Sequence, residues 1–496
     1  MVQSMGFGID FGTTNSVAAV FNGEELTAFV DPNNLPHPSV LWYKGEPQPI
    51  VGREAKKRIK DFGNTPGNKF ITSIKSQIHK QEEFEIFGKP YYTWQFASEI
   101  FRFLKEDAKE RYPGYPDMME AVVTVPLYFN GKQRKAIRKA AERAGIAVKT
   151  FIHEPFAAVV GYLFADPSQV EYLKEKRENI LVFDWGGGTL DITLVKLDSG
   201  TIYEVNNQGY PDKSGDYFDE LLMKDVIDTF QQENGITPHG FRLEPGIESI
   251  LLHEVEFAKI DLSRKDNVSI LLADGFYSIN GKRYPLFSDI SRRHFETIIN
   301  DDIQDAMSLV DRALHQAHLQ ASQINQVLLI GGTSRIPLLK KQMRNTFGTT
   351  KVIEIPNADT VIAEGAAIIS FYDWPPELVR PICIQLSDES HYTIFDKKTI
   401  LKPEFAQKGV VFFCTDNREG EGRLIITENR GEQGHQVKEI VSVPVSNKLK
   451  NIYTERVVAD FRVDLDVILR ISARGSVEGK AVYLDIHDLC YGLRFA

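Results

Sequence analysis

The sequence predicts an α/β protein with two similar lobes, followed by a smaller all-β domain. Three observations support this prediction. The chain has short runs that are apolar at almost every position, a turn motif occurs twice, and after about Tyr372 the pattern changes to short alternating or β-branched runs separated by turns. The chain has 496 residues. Because this length exceeds what a single hydrophobic core usually holds, we expect two to four domains.

The apolar runs indicate the strands of an α/β sheet. Each run ends at an acidic residue, a glycine or a proline. Such runs are typical of strands that are buried on both faces. They cover residues 7–9, 122–125, 180–183 and 327–330.

Two segments have a helical pattern. In residues 131–144 the apolar side chains share one face, Asn130 is a good N-cap and Gly145 is a typical stop signal. A second long helical tract is predicted over about 291–319, just before the run at 327–330. Strands that alternate with helices in this way are typical of an α/β fold.

The repeated turn motif reads DFGTTN from Asp10 and DWGGGTLD from Asp184. Glycine lets a backbone approach an anion closely, and threonine hydroxyls add donors. Each turn alone is as consistent with an ordinary strand–helix connection as with a phosphate site. Together they favour a phosphate site between two lobes, built by Gly12, Thr13, Thr14 and Asn15 on one side and Gly186, Gly187, Gly188 and Thr189 on the other.

The acidic residues of the two turns imply a cation. Two carboxylates within about 5 Å would repel by about 3 kcal/mol at an effective dielectric near 20. A bound polyphosphate would increase that repulsion. Mg²⁺ suits carboxylate and phosphate oxygens, so we expect Asp10 and Asp184 to hold it through water.

A third glycine element, 331–335, follows another predicted strand. Gly332 permits close approach of a base or ribose, and the Arg335 guanidinium is suited to stack on adenine. The sequence contains neither the GxxxxGK[ST] phosphate loop nor the GxGxxG dinucleotide fingerprint.

The region after Tyr372 predicts a β-sandwich of about a hundred residues. The segment 374–377 reads WPPE and cannot continue a helix. The predicted strands cover 382–386, 392–395, 410–413, 424–427, 457–463, 467–472 and 482–486. The expected boundaries are 5–373 for the two-lobed domain, with a second lobe from near 180, 374–381 for a linker, and 382–496 for the sandwich.

Composition limits the partners and the compartment. A net charge of -10 and the absence of a dense basic run argue against nucleic acid as a partner. No apolar run has the roughly 18 residues of a membrane span, and no signal peptide is evident. Cys383, Cys414 and Cys490 are widely spaced and are expected to be reduced thiols. These observations predict a cytoplasmic protein.

At the level of motifs, the chain resembles the seventy-kilodalton heat-shock chaperones of the DnaK type, within the actin and sugar-kinase superfamily. The resemblance extends from Gly8 through nearly the whole chain. It is carried by GIDFGTTNSV, VVTVPLYFNGKQRKAIRKAAERAG, HEPFAAVVGY, ILVFDWGGGTLDITLV, EFAKIDLS and VLLIGGTSRIPLL, in the family's order. It implies a two-lobed actin-like, ribonuclease-H-like ATPase domain followed by a peptide-binding sandwich.

The resemblance also implies residue roles. Lys75 matches the family's catalytic lysine, and Glu154 and Asp191 match residues that position metal and water, beside Thr189. The matching adenosine contacts are Glu256, Lys259 and Ser263 opposite Gly331, Gly332, Ser334 and Arg335, with Gly215 and Asp359 as further nucleotide-site candidates. ATP or ADP with Mg²⁺ is the implied cofactor, and K⁺ is an additional candidate.

Pro126 and Arg134 match the family's switch proline and relay arginine. Val411, Phe413, Leu424 and Ile426 are candidates for a peptide pocket, and core packing is equally consistent with their composition. Extended peptides or a protein client are the implied partners, with co-chaperones or a nucleotide exchange factor.

Some positions depart from the family pattern. The linker reads WPPELVRP, so we expect a stiff, polyproline-like connection rather than a strand docked on the ATPase. A helical lid is not expected after the sandwich. Thr150 replaces a usual basic residue near the J-protein contact, and Trp185 is expected to pack away from Asp184.

The sequence therefore predicts a slow Mg-ATPase whose nucleotide state modulates peptide binding by a lidless sandwich. A nucleotide-sensing adaptor with weak hydrolysis and an actin-like filament former remain alternatives. A sugar-kinase-type transferase is a further alternative, but no motif for its carboxylate base is evident.

Overall fold

The computed structural model describes residues 5–78, 83–164, 175–235, 237, 241–243, 246–278, 283–415, 419–431, 434–446, 455–477 and 479–495. These residues form two α/β lobes and a β-rich region, which confirms the predicted fold class.

The first lobe is built on a sheet with parallel strands at one side. Its strand order is Ala147–His153, Glu120–Val125, Gly6–Phe11, Asn15–Phe21 and Leu26–Phe29, with His37–Pro38 also paired to Asn15–Phe21. The first three strands are mutually parallel, and Gly6–Phe11 pairs antiparallel with Asn15–Phe21. Asp10 therefore stands where a buried strand runs into a tight hairpin.

The second lobe repeats this arrangement, as the repeated motif predicted. Arg177–Trp185 pairs antiparallel with Leu190–Asp198 and parallel with Gln326–Ile330. The order of the full sheet is Val352–Glu354, Gln326–Ile330, Arg177–Trp185, Leu190–Asp198, Thr201–Tyr210, Tyr491–Arg494 and Pro376–Leu378. Asp184 occupies the position that corresponds to Asp10.

Smaller sheets and helices surround the two central sheets. The small sheets comprise Leu41–Tyr43 with Ile50–Val51 and Lys69–Ile71, Glu83–Ile86 with Lys89–Tyr92, and Phe241–Leu243 with Asn267–Ser278 and Arg283–Ser291. The α-helices are Arg53–Phe62, Thr93–Arg111, Gly131–Arg143, Glu154–Leu163, Gly215–Glu233, Ile247–Leu262, Arg292–Ile298, Asn300–Gln316, Pro337–Phe347 and Val361–Tyr372. Short 3₁₀ turns cover Ala321–Gln323 and Thr333–Arg335.

The predicted helices are present with small changes. Gly131–Arg143 begins at Asn130, whose side chain accepts hydrogen bonds from the backbone N–H groups of Lys132 and Gln133. The long tract predicted over about 291–319 is two helices, Arg292–Ile298 and Asn300–Gln316, which are separated at Ile299.

Two helices cross closely between the lobes. A Cβ on Gly365 would overlap the backbone of Ala157, and a Cβ on Gly161 would overlap the backbone of Val361. The crossing joins Glu154–Leu163, which begins at a predicted site residue, to Val361–Tyr372. Glycine at both positions lets the two backbones touch, so the crossing has no room for side chains.

The sandwich consists of two four-stranded sheets among the residues that the structure describes. One sheet has the order His391–Phe395, Ile382–Gln385, Glu421–Asn429 and His435–Pro444, and the other Gln407–Phe413, Arg456–Val463, Leu469–Gly475 and Ala481–Ile486. The seven predicted strands are all present. The analysis missed His435–Pro444 because much of this edge strand is exposed and it has no continuous apolar run.

The linker departs from our expectation. Pro376–Leu378, here called the linker strand, is a β-strand and not a polyproline-like spacer. It lies on the sheet of the second lobe by pairing with Tyr491–Arg494, here called the closing strand. The closing strand had been assigned to the sandwich, but it pairs antiparallel with Thr201–Tyr210 of the second lobe. A proline is tolerated in the linker strand because it lies at the sheet edge.

Cys383, Cys414 and Cys490 are free thiols, as expected. None of the helices formed by the described residues is long and apolar enough to cross a membrane.

We predict that Gly365→Val destabilises the protein by about 3 kcal/mol or more, because the new side chain would separate the two crossing helices. Chemical denaturation monitored by circular dichroism measures this loss. The matched control is Gly114→Val, where an added side chain would meet open space. Equal unfolding midpoints for the two variants would contradict the close crossing.

Candidate functional site

The two predicted phosphate turns meet face to face. A Cβ on Gly187 would overlap the Thr14 hydroxyl, and a Cβ on Gly188 would lie within 3 Å of Thr13. The turns border a cavity of about 140 Å³. Its lining includes Asp10, Gly12, Thr13, Thr14, Asn15, Lys75, Glu154, Asp184, Gly186, Gly187, Gly188, Thr189, Gly331, Gly332 and Asp359. Residues from both lobes thus converge on one cavity, which sequence proximity alone could not show.

A buried ion pair lies at the base of this cavity. The Lys75 ammonium donates a hydrogen bond to a carboxylate oxygen of Glu154, and both residues are more than 90% buried. Burial alone would lower the pKa of Lys75, but the carboxylates of Glu154, Asp10 and Asp184 outweigh it and raise that pKa. Lys75 is therefore held as a cation.

The carboxylates around Lys75 outnumber it. Burial raises the pKa of Glu154 to about 7 and that of Asp191 to about 6. Burial and neighbouring carboxylates also raise the pKa of Asp184, and burial raises that of Asp10. Hydrogen bonds partly offset these shifts: the Thr124 hydroxyl donates to Asp10 at 3.1 Å, and the Thr189 hydroxyl donates to Asp191 at 3.0 Å. The site has excess negative charge that a bound cation would relieve.

This donor set fits Mg²⁺ held mainly through water and phosphate. In the part of the chain that the structure describes, no three His, Cys, Asp or Glu side chains form a metal site by themselves. Mg²⁺ commonly keeps several waters and binds one or two carboxylates together with substrate phosphates. Asp10 and Asp184 would supply the carboxylates, and the ion would neutralise phosphate charge.

A second cavity of about 340 Å³ continues from the phosphate turns and shares Thr14, Asn15 and Gly187 with the first. Glu256, Lys259 and Ser263 line one wall, and Gly332, Arg335 and Asp359 line the opposite wall. Leu35, Pro36 and Ile336 add apolar surface. The size and mixed lining suit a nucleoside.

Several residues predicted to contact the nucleotide form hydrogen bonds with other groups of the protein. The Arg335 guanidinium donates to Asp359 at 2.6 Å, which orients it along the cavity wall. The Lys259 ammonium donates to Asp219 and to the Gly215 carbonyl oxygen, both at 2.7 Å. Lys259 thus links the helix Ile247–Leu262 to the first turn of the helix Gly215–Glu233.

Ser334 and Trp185 point into the interior. The Ser334 hydroxyl lies 3.4 Å from the Phe183 carbonyl oxygen and is buried, so this side chain does not face the nucleoside cavity. Trp185 is fully buried, packs edge-on against Phe183 and Phe218, and donates to the Lys213 carbonyl oxygen at 3.1 Å. The packing role predicted for Trp185 is confirmed.

The sequence analysis missed Lys56 and Tyr128. Lys56 of the first lobe donates to Glu256 of the second at 2.6 Å, and Lys60 pairs with Glu254 at 3.0 Å. These ion pairs span the cleft above the nucleoside cavity. Tyr128 is about half exposed, and its phenol lies near Asp191, Glu154 and the Thr189 hydroxyl, where local desolvation and the carboxylates raise its pKa. Neither residue could be identified from its local sequence, because its partners are distant in the chain.

Arg134 connects the first lobe to the sandwich segment at His487, and Pro126 lies earlier in the first lobe. Pro126 is buried and directly follows the strand Glu120–Val125. Arg134 is buried and donates to the Phe129 carbonyl oxygen at 2.7 Å and to the His487 carbonyl oxygen at 3.1 Å. One helical turn later, Arg138 pairs with Asp466 of the sandwich at 2.8 Å.

The four residues predicted for a peptide pocket in the sandwich fall into two groups. Val411, Phe413 and Leu424 line an open cavity of about 730 Å³, and Val411 and Phe413 are more than half exposed. Ile426 is fully buried in the core, so the structure excludes it from this pocket. It lies two residues beyond Leu424 on the same strand face, deeper between the sheets.

A comparison with known protein families agrees with this arrangement. Residues 6–385 match the model of a family described as Hsp70 protein. The match covers more than half of the chain and includes both lobes, the linker strand and the first strand of the sandwich. The chain belongs to the Hsp70 family, whose general function is that of ATP-binding chaperones.

We predict that Lys56→Ala accelerates release of bound nucleotide about 5- to 10-fold, because it removes a charge-assisted hydrogen bond across the cleft. Stopped-flow displacement of a fluorescent ADP analogue measures the rate. The neighbouring Lys57 is exposed and lies outside both cavities, so Lys57→Ala is the matched control. Equal release rates for wild type and Lys56→Ala would contradict a bridging role.

Proposed function

We propose that this member of the Hsp70 family binds Mg-ATP between its lobes and hydrolyses it slowly to ADP and phosphate. We further propose that the nucleotide state changes the affinity of the sandwich for extended peptide segments. The observation that supports this most strongly is the buried Lys75–Glu154 ion pair among three further carboxylates, at the meeting point of both glycine turns.

The residues of the site suit hydrolysis by positioning and electrostatics. Phosphoryl transfer leaves little covalent chemistry for the protein, so orientation and charge neutralisation dominate catalysis. Lys75 is a fixed cation at the phosphate end of the cleft and would neutralise charge that develops on the transferred group. Glu154 and Asp191, with pKa values of about 7 and about 6, are suited to orient a water and to accept its proton.

The contacts between the ATPase and the sandwich support coupling. The helix Gly131–Arg143 begins five residues after Pro126, and its Arg134 and Arg138 reach the sandwich segments near His487 and Asp466. The same helix packs near the strand Ala147–His153, which runs directly into Glu154. A shift at the phosphate site therefore has a short packed route to the sandwich.

A nucleotide-sensing adaptor with weak hydrolysis is a second candidate. The observation that favours it is the attachment of the sandwich through both the linker strand and the closing strand. Two attachments raise the free energy needed to separate the domains, and an adaptor does not need full separation. Turnover and peptide binding distinguish the two candidates.

We predict that Lys75→Ala lowers ATP turnover on the order of 100-fold, equivalent to about 3 kcal/mol, while ATP binding persists. Phosphate release at saturating Mg-ATP measures turnover, and calorimetry measures binding. Lys89→Ala, at an exposed position in a hairpin, is the control and should behave as wild type. Wild-type turnover in Lys75→Ala would exclude Lys75 from catalysis.

We predict that an extended apolar peptide binds the full chain more weakly with ATP than with ADP or without nucleotide. Fluorescence anisotropy of a labelled leucine-rich peptide measures the affinity. Phe413→Ser should weaken binding about 10-fold in every nucleotide state, because it removes an apolar side chain from the cavity wall.

The matched control for peptide binding is Tyr483→Ser, which removes an aromatic side chain that is 80% exposed on another strand of the sandwich. This variant should bind as wild type does. Affinity that is the same with ATP, with ADP and without nucleotide would contradict coupling. Equal losses for Phe413→Ser and Tyr483→Ser would contradict the pocket.

A further inference from the structure

The closing strand Tyr491–Arg494 lies inside the sheet of the second lobe, between that lobe and the linker. On one side Ile202 and Tyr203 pair with Leu493 and Gly492. On the other side the whole linker strand pairs with residues 491–493. Among the described residues, the linker strand joins the sheet of the second lobe by pairing with the closing strand, and its other side is bonded to residues 398–401. Removal of the closing strand would therefore break the pairing that links the linker strand to this sheet.

The fit of the closing strand is tight. A Cβ on Gly492 would lie 2.6 Å from the Ile202 carbonyl oxygen and 3.1 Å from a Val379 methyl group. Leu493 is fully buried, and the Phe495 ring packs against Phe164 and Trp374. Extensive apolar burial and main-chain pairing thus hold a segment that follows the sandwich onto the ATPase domain.

Through Tyr491, the closing strand also contacts the residue that precedes Glu154 in the proposed catalytic site. The buried Tyr491 ring lies 4.4 Å from the His153 ring and 6.0 Å from the Phe156 ring, measured between centroids. His153 immediately precedes Glu154, the partner of Lys75. Burial and the nearby Arg134 lower the pKa of His153 to about 3, so its ring is neutral and packs against the Tyr491 ring without an ionic contact. The Tyr491 hydroxyl also accepts a hydrogen bond from the His153 backbone N–H.

The start of the helix Glu154–Leu163 depends on such packing. His153 is the N-cap residue of this helix and makes no side-chain capping hydrogen bond, and its Nδ1 atom has no hydrogen-bond partner. The backbone of His153 is held on one side by its pairing with Val125 at the end of the strand Ala147–His153, and the Tyr491 ring packs against the His153 side chain. A misplacement of about 1 Å in a catalytic group can cost on the order of 100-fold in rate.

We propose that the closing strand is a positioning element of the ATP site: Tyr491 holds the His153–Glu154 backbone in place whenever the sandwich and the linker are docked. Tyr491 touches neither the cavity nor Lys75, so it acts through His153. Undocking the sandwich and releasing Glu154 become one event, because both require the closing strand to leave the sheet. The catalytic consequence rests on the proposed ATPase function, whereas the structural consequence does not.

Three variants of the full chain test the proposal. Tyr491→Ala removes the ring, Tyr491→Phe keeps it, and Gly492→Val forces a side chain between Thr201–Tyr210 and the linker strand. Gly114→Val is the matched control, since its side chain would enter open space far from this sheet. Thermal unfolding identifies any variant that fails to fold.

The first measurement is hydrogen–deuterium exchange without nucleotide, which needs no ATPase activity. Gly492→Val should speed exchange in residues 201–204 and 376–379. Tyr491→Ala should speed exchange in residues 152–156 more than Tyr491→Phe does, because Tyr491→Phe keeps the ring and loses only the hydroxyl that accepts from the His153 backbone. Unchanged exchange at 152–156 in Tyr491→Ala would overturn the proposal, even if the chain hydrolyses no ATP.

The second measurement is steady-state turnover. Tyr491→Ala should lower kcat on the order of 10- to 100-fold with KM within about twofold, and Tyr491→Phe should restore kcat. Loss of kcat in Tyr491→Phe equal to that in Tyr491→Ala would overturn the role of the ring. If wild type lacks turnover while exchange responds as expected, the proposed ATPase function fails and the structural role of the closing strand stands.

Discussion

The buried charge cluster around Lys75 is the constraint on which the rest of the structure depends. One ammonium faces four carboxylates at the cavity between the lobes, and its direct partner Glu154 is almost completely buried. Removing one partner of such a pair leaves an uncompensated charge at a cost of about 3–5 kcal/mol. The cluster therefore needs a rigid frame that keeps its members at fixed distances, and its excess negative charge suits the cation that we propose to bind there with a polyphosphate.

Close backbone contacts supply that frame. The phosphate turns approach each other because Gly187 and Gly188 leave space for Thr14 and Thr13. The helix that starts at Glu154 crosses Val361–Tyr372 through Gly161 and Gly365, so the lobes meet where the cluster lies. Small displacements between the lobes must then change distances within the cluster. The Lys56–Glu256 ion pair joins the two sides of the cleft, and we expect it to resist opening.

The linker and closing strands give the sandwich two attachments to one edge of the second lobe. Helix Gly131–Arg143 adds a third contact through Arg134 and Arg138. The domain that would bind peptide is therefore part of the same packed body as the ATP site in this structure. Tyr491 of the closing strand contacts His153, which is the residue next to Glu154 in the chain. The closing strand therefore packs close to the Lys75–Glu154 ion pair.

The sequence by itself determined the two-lobed α/β fold, the phosphate turns and the sandwich strands. Those features are local, because an apolar run, a glycine turn or the Asn130 cap is each formed by residues that are consecutive in the chain. Resemblance to a known family added Lys75 and Glu154, whose isolated sequence contexts are uninformative. Only the tertiary structure decided that Lys56 bridges the lobes, that Ile426 belongs to the core, and that Pro376–Leu378 is a strand. The physical reason is that each of these depends on partners elsewhere in the chain: the linker forms a strand because its backbone pairs with residues 491–493 on one side and with residues 398–401 on the other.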